Sequence, residues 1–299
     1  MLKSMHVIIG RMMQLKLLCL VIFTLIIQCN ADAVDNEISE LSERLFDAST
    51  PNILSRVKVN LQGRTTSSAL TDEAPAPLLT VSNASLSGIA TIVKMRALWD
   101  NYEANTMTVE NVTPSELREE DEFIDEVLDT AVMKMAMTYL QQKGSVRSDR
   151  ASQKNLLKTL WFTLYSRGGG KVGSCAFEHV FMNEIKGNEI SGLHNWIYFA
   201  EEERDSRQYL DYKGYMKSLH LGNKAQIIKY RMSYKNESKP VSTMFIGTLP
   251  ELEMALYTVC HEAKKIRCEI SLGGKKIVIR VYPFFYRGKR LIGSAFPQF

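Results

Sequence analysis

Apolar residues recur at helical spacing through the first half of the chain and at alternate positions in much of the second. Residues 35–48 set Ile38, Leu41, Leu45 and Phe46 on one face, the mark of an amphipathic helix. Residues 91–102 read as a short helix. Thr113-Pro-Ser-Glu116 is a capping box with proline at the first helical position. It opens one long helix to about Gln142, with Ile124, Val127, Leu128, Ala131, Met135 and Tyr139 at helical spacing and its methionines as core filler. Residues 154–166 give another helix, burying Leu157, Leu160, Trp161 and Leu164.

After Gly168-Gly169-Gly170 the pattern becomes strand-like. Phe177, His179 and Phe181 alternate with Glu178 and Val180, as in a short strand, and Lys186-Gly-Asn188 turns the chain. Residues 241–247 read as a strand. A second capping box, Thr248-Leu-Pro-Glu251, opens a helix to about Lys264. Residues 268–272 and 277–281 flank Gly273-Gly274 as a hairpin, and 291–296 form a last strand. No GxxxxGK(S/T) motif follows the triple glycine, so it reads as a hinge. A polar stretch, 62–76, is a loop closed by Pro75 and Pro77. The predicted class is α+β, with a mainly helical part over 34–170 and a mixed antiparallel-sheet part over 171–299.

The first 33 residues stand apart. Lys3, Arg11 and Lys16 precede an apolar run over 17–27, and Ala31-Asp32-Ala33 is a small-x-small cleavage pattern. The run is short for a membrane span, so a removed signal peptide and a secreted or lumenal protein are expected. No later segment is apolar enough over a sufficient length to cross a bilayer. Cys19 and Cys29 would leave with the signal, so Cys175, Cys260 and Cys268 remain. In an oxidising compartment Cys260 and Cys268 are near enough in sequence to bridge, leaving Cys175 single. No Cys/His spacing suggests zinc. Asn83 and Asn236 head usable glycosylation sequons, the second close to Lys239, while the sequon at Asn111 is followed by proline.

Charge changes the picture. Residues 34–140 hold 18 acidic and 8 basic residues, a balance of −10, whereas 141–299 hold 14 and 26, a balance of +12. A basic half suggests a polyanionic partner; a solvated lysine-rich surface is the plainer alternative. The candidate chemistry lies between Cys175 and Phe199. His179 and His194 stand fifteen residues apart, with Glu178, Glu184 and Glu189 nearby. A turn between them could bring both imidazoles to one cleft, where groups titrating near neutrality serve as acid and base. Spacing alone leaves open that both are satisfied core or surface histidines.

The motifs narrow the choice. FEHVF at 177–181, a glutamate five residues past the first histidine, SGLHNWI at 191–197 and DYKGY at 211–215 resemble the EndoU (XendoU-like) family of poly(U)-specific endoribonucleases. The coronavirus uridylate-specific endoribonuclease has a related catalytic domain. Further collinear segments resemble the family too: 40–47, Asp100-Asn-Tyr102, Phe123-Ile-Asp125, 161–167, and Lys239-Pro-Val241 through Glu251. The resemblance implies cleavage of single-stranded, U-rich RNA by its own 2′-OH, giving a 2′,3′-cyclic phosphate and a 5′-OH. It implies His194 as base, His179 as acid and Lys239 as the cation that offsets transition-state charge.

By the same resemblance Glu178 and Glu184 support the site. They orient imidazoles or hold a divalent cation, for which Mn2+ or Ca2+ would suit oxygen ligands. Thr243 is the implied uracil-selecting hydroxyl; as a plain residue it reads as an ordinary strand threonine. The family's IGTAYP ending is here Ile292-Gly-Ser-Ala-Phe-Pro297, so Phe296 keeps a stacking ring and loses a hydroxyl. A monomer is expected. Two other readings stand beside the nuclease: a non-cleaving RNA- or partner-binding protein on the same fold, and a metal-dependent hydrolase with Glu178, His179, Glu184 and His194 as ligands.

Overall fold

The computed structural model describes residues 33–299. The predicted signal peptide lies outside the described residues but for Ala33. Helix α1 (33–48) buries Ile38, Leu41, Leu45 and Phe46, the face its spacing predicts. It is fastened far along the chain: the Glu43 carboxylate accepts from the backbone N–H of Gly273 (2.8 Å) and Gly274 (2.7 Å). A short antiparallel pair, β1 (Lys58–Val59) and β2 (Leu79–Thr80), leads into α2 (Asn83–Leu86) and α3 (Ala90–Ala97).

The capping box at Thr113 forms as predicted, with Glu116 N–H donating to the Thr113 hydroxyl and the Glu116 carboxylate accepting from the Thr113 N–H. The predicted single helix is two, α4 (Pro114–Asp129) and α5 (Ala131–Gln142). Thr130 divides them: its backbone is extended, and its hydroxyl caps α5 by accepting from Met133 N–H at 3.1 Å. Helix α6 (Arg150–Phe162) starts earlier than predicted because Asp149 caps it.

Residues 177–181, expected as a strand, lie in helix α7 (Ala176–Phe181). All six helix residues are buried, so no solvent face exists for a period of two to report. Phe177 and Phe181 stack at 5.2 Å, as neighbours one helical turn apart do. The hairpin β3 (Asn183–Lys186) and β4 (Glu189–Gly192) follows, then α8 (Trp196–Arg204).

Three long strands, β5 (Leu210–Leu221), β6 (Ala225–Tyr234) and β7 (Glu237–Ile246), form one antiparallel sheet. Helix α9 (Pro250–Glu262) begins one residue later than the box predicts, with Leu249 in place of Thr248 at the cap position. Pro250 takes the first helical position and Thr248 turns its hydroxyl to Glu253 instead of capping. Strands β8 (Arg267–Leu272), β9 (Lys275–Tyr286) and β10 (Lys289–Gln298) form the second three-stranded sheet, with the Gly273-Gly274 hairpin as predicted.

The early helices and the late sheets share one core. Trp161 on α6 donates to Thr258 on α9 (3.0 Å) and packs on Phe181 of α7 (5.5 Å). Cys260 and Cys268 form the expected disulfide, tying the end of α9 to β8, and Cys175 is free and buried. A cross-link of so short a loop contributes about 2–3 kcal/mol by constraining the unfolded chain. No described helix is long and apolar enough to cross a membrane.

Candidate active site

His179 and His194 are fifteen positions apart, and one glycine closes the gap. Gly192, at the end of β4, has φ +71°, and a Cβ there would lie 1.9 Å from the carbonyl oxygen of His179. That close approach lets Leu193 N–H donate to His179 O (3.1 Å) and His194 N–H to Val180 O (3.0 Å). The segment carrying the second histidine is thereby docked on the helix end carrying the first. The two rings stand 6.3 Å apart, centre to centre.

The partners of each ring assign its protons. His194 Nδ1 lies 2.8 Å from the carbonyl oxygen of Thr243, which can only accept, so Nδ1 carries the hydrogen and Nε2 keeps a lone pair. Burial, then the charges of Lys239 and His179, push this imidazole well below its ordinary pKa. His194 is held neutral, with a free base nitrogen.

His179 has a different neighbour. Its Nδ1 donates to the Glu184 carboxylate at 2.5 Å, and its Nε2 faces the Ser294 hydroxyl at 3.0 Å. Burial lowers its pKa and Glu184 opposes the shift, so an imidazolium here has a counter-charge that His194 lacks. Burial would raise the Glu184 carboxyl, but His179, Arg167 and Ser174 together hold it down at about 2. Arg167 Nε sits 2.7 Å from Glu184 and its Nη2 donates to both the Tyr165 hydroxyl and Gly293 O, so the guanidinium braces the carboxylate against β10.

Lys239 enters from β7. The strand is bulged at Pro240–Val241, two residues opposite the single Arg231, where proline has no N–H to give the ladder. The ammonium donates to Gly192 O, and no carboxylate among the described residues pairs with it. Burial pushes its pKa down to about 7. Thr243, on the same strand, gives its hydroxyl hydrogen to Pro297 O (2.7 Å), while the oxygen's lone pairs stay available to a donor. Phe296 on β10 stacks on His194 at 4.7 Å and 24°.

The structure brings His179, His194, Lys239, Thr243 and Phe296 together, with Glu184 joined through His179. Glu178 makes no hydrogen bond to either ring. Both its oxygens are buried without a partner, and burial, then the charges of Glu184 and Glu110, raise its pKa well above the carboxylate range. A divalent cation finds no ready ligand set between these carboxylates: Glu184 is already engaged by His179, Ser174 and a guanidinium, which leaves only the Glu178 oxygens without partners. No group of three or more His, Cys, Asp or Glu side chains among the described residues is arranged to hold a metal.

Two contributors had no assigned role in the sequence reading. Ser294 sits two residues before Phe296, a spacing that puts both on one strand face, with Gly293 bulged against Pro283 and Tyr282. That signal could have found it. Arg167 reaches Glu184 across seventeen residues of chain, and no local pattern marks such a pair.

Residues 37–297 match the family Endoribonuclease XendoU. The chain belongs to the XendoU endoribonuclease family. It is similar to the uridylate-specific endoribonuclease EndoU of Drosophila melanogaster, 40% identical over 268 residues, covering 88% of this chain and 83% of that one. The poly(U)-specific endoribonuclease-B of Xenopus laevis is 37% identical over 286 residues, covering 90% and 96%. Among solved structures, that of XendoU, described as a splicing-independent snoRNA processing endoribonuclease, superposes with a TM-score of 0.73. It has 33% identity and covers 88% of this chain and 96% of that one. The α+β class and the XendoU fold agree with this match.

Proposed function

We propose that this endoribonuclease cuts single-stranded, U-rich RNA by internal transesterification. His194 Nε2 takes the proton from the ribose 2′-OH. The oxygen attacks the adjacent phosphorus, and His179 Nε2 gives its proton to the departing 5′-oxygen. The products are a 2′,3′-cyclic phosphate and a 5′-OH. The Lys239 ammonium stabilises negative charge on the non-bridging oxygens, in a site where burial strengthens that interaction. Ser294, in contact with His179 Nε2, steadies the acid on the leaving-group side.

One observation supports the division of labour. The base candidate bonds a neutral carbonyl and the acid candidate an ionised carboxylate. A carboxylate stabilises an imidazolium, whereas burial beside a lysine, with only a carbonyl for a partner, favours the neutral ring. The likeness to uridylate-specific and poly(U)-specific endoribonucleases supports a uridine preference. For Thr243, whose hydroxyl hydrogen is committed to Pro297, the available contact to uracil is to accept from N3–H.

The expected signal peptide and the Cys260–Cys268 bond support a secreted protein. The proton transfers use no metal. Any stimulation by Mn2+ or Ca2+ would act outside them and leave the product ends unchanged.

The test is cleavage of oligo-U and oligo-C by wild type and His179→Ala, with end-group analysis. Oligo-U is cut faster, and the substitution lowers the rate by roughly two to four orders of magnitude. Equal rates for the two proteins, or linear phosphate ends, contradict the mechanism. Binding without cleavage would favour the non-cleaving alternative.

A further inference from the structure

The stack formed by His194 and Phe296 continues outward. Tyr282 on β9 lies opposite Ser294, and its ring is 6.1 Å from that of Phe296, tilted by 36°. Tyr282 is 45% exposed, so its ring is open to a ligand from solvent. Arg280, two residues earlier and on the same face, lies opposite Phe296 and across from Arg267 on β8. Its Nε donates to Gln298 Oε1 (2.7 Å), which holds the guanidinium along the sheet, and no carboxylate among the described residues pairs with it. An exposed aromatic ring and an unpaired arginine therefore lead away from the catalytic histidine on one continuous surface.

Resting on the reading above that the cleft cuts RNA, we propose that Tyr282 and Arg280 form a subsite for a nucleotide flanking the cleaved uridine. The Tyr282 ring stacks on the flanking base, and the Arg280 guanidinium takes its phosphate. Single-stranded nucleic acid is held in this manner, by π-faces that accept any base and by cations that track the backbone. The subsite predicts a preference for longer RNA without a sequence requirement at the flanking position. Tyr282 touches no reacting atom in this arrangement, so its effect falls on substrate length.

The test compares a uridine dinucleotide with a hexamer for wild type, Tyr282→Ala and Tyr282→Trp, with Phe285→Ala as a control on the same strand. In Tyr282→Ala the ratio of hexamer to dinucleotide kcat/KM falls about tenfold, the scale of one lost base–aromatic stack. Tyr282→Trp restores the ratio, and Phe285→Ala, which alters an aromatic 72% exposed outside this row, leaves it unchanged. Binding of a hexamer with every uridine 2′-deoxygenated, which cannot react by its own 2′-OH, is measured alongside. Its affinity falls about tenfold in Tyr282→Ala, and Arg280→Gln flattens the salt dependence by about 0.7 in log–log slope, one single-strand phosphate contact. An unchanged length ratio together with unchanged affinity in Tyr282→Ala overturns the subsite. Absence of cleavage by wild type would defeat the nuclease reading alone, because the deoxygenated hexamer still reports on Tyr282.

Discussion

Gly192 packs against the carbonyl oxygen of His179, with no room for a side chain between them. This contact sets the spacing of the two imidazoles, since the backbone of Leu193 and His194 hangs from the same helix end. Gly192→Ala adds a Cβ that would lie 1.9 Å from that oxygen, in a left-handed conformation that also disfavours alanine. The expected cost exceeds about 2 kcal/mol, or about 5 °C in Tm, with most of the activity lost. Thermal denaturation and an oligo-U assay check it; wild-type values for both would contradict the role given to this contact.

The acid–base assignment fixes the sign of the pH dependence. His194 must be neutral to accept a proton, and its pKa lies well below 6.5, so this requirement is met at and above mildly acid pH. Lys239 must be charged, and burial brings its pKa to about 7. His179 must be protonated, and burial lowers its pKa from the ordinary imidazole value. The kcat/KM profile, which reports the free enzyme, is therefore expected to decline already below pH 7 as His179 loses its proton, and further as Lys239 does. A plateau reaching pH 9 would show that neither Lys239 nor His179 is needed in its protonated form.

Glu184 acts through His179. Glu184→Gln keeps a hydrogen-bond acceptor beside Nδ1 and removes the charge that stabilises the imidazolium, while leaving Arg167 without its carboxylate. The expected result is a fall in kcat of about a hundredfold, within the range of an acid–base group. The His179 pKa, followed by NMR, should move further down. A merely structural glutamate would lower stability without that titration shift.

Phe296 departs from the tyrosine of the family pattern. It keeps its stack on His194, so the ring platform survives without the hydroxyl. Phe296→Tyr restores a polar contact next to the substrate and is expected to raise uridine-over-cytidine discrimination about fivefold, the scale of one added hydrogen bond of about 1 kcal/mol. Competition between oligo-U and oligo-C measures it.

Local signals were legible where one residue type settles one geometry. The apolar face of α1, the cap at Thr113, the Gly273-Gly274 hairpin and the Cys260–Cys268 pair all follow from short-range rules. The alternation at 177–181 misled because total burial erases the contrast on which periodicity depends. Thr130 reads as a mid-helix residue until its hydroxyl is seen capping α5. Strands β5 and β6 carry no such local signal; β5 is broken by irregular pairing around Tyr212 and Tyr215, with Gly214 at φ +107°. The catalytic trio was reached through motif resemblance, whereas the Arg167–Glu184–His179 chain and the proton placement on each ring needed the fold.

The central claim is that the RNA supplies its own nucleophile between two imidazoles and one ammonium. A hexauridylate in which one uridine is replaced by 2′-deoxyuridine tests it most directly. Cleavage is expected to vanish on the 3′ side of that position and persist at every other linkage. Cutting at the deoxy position at a comparable rate would require an external nucleophile and would contradict the account.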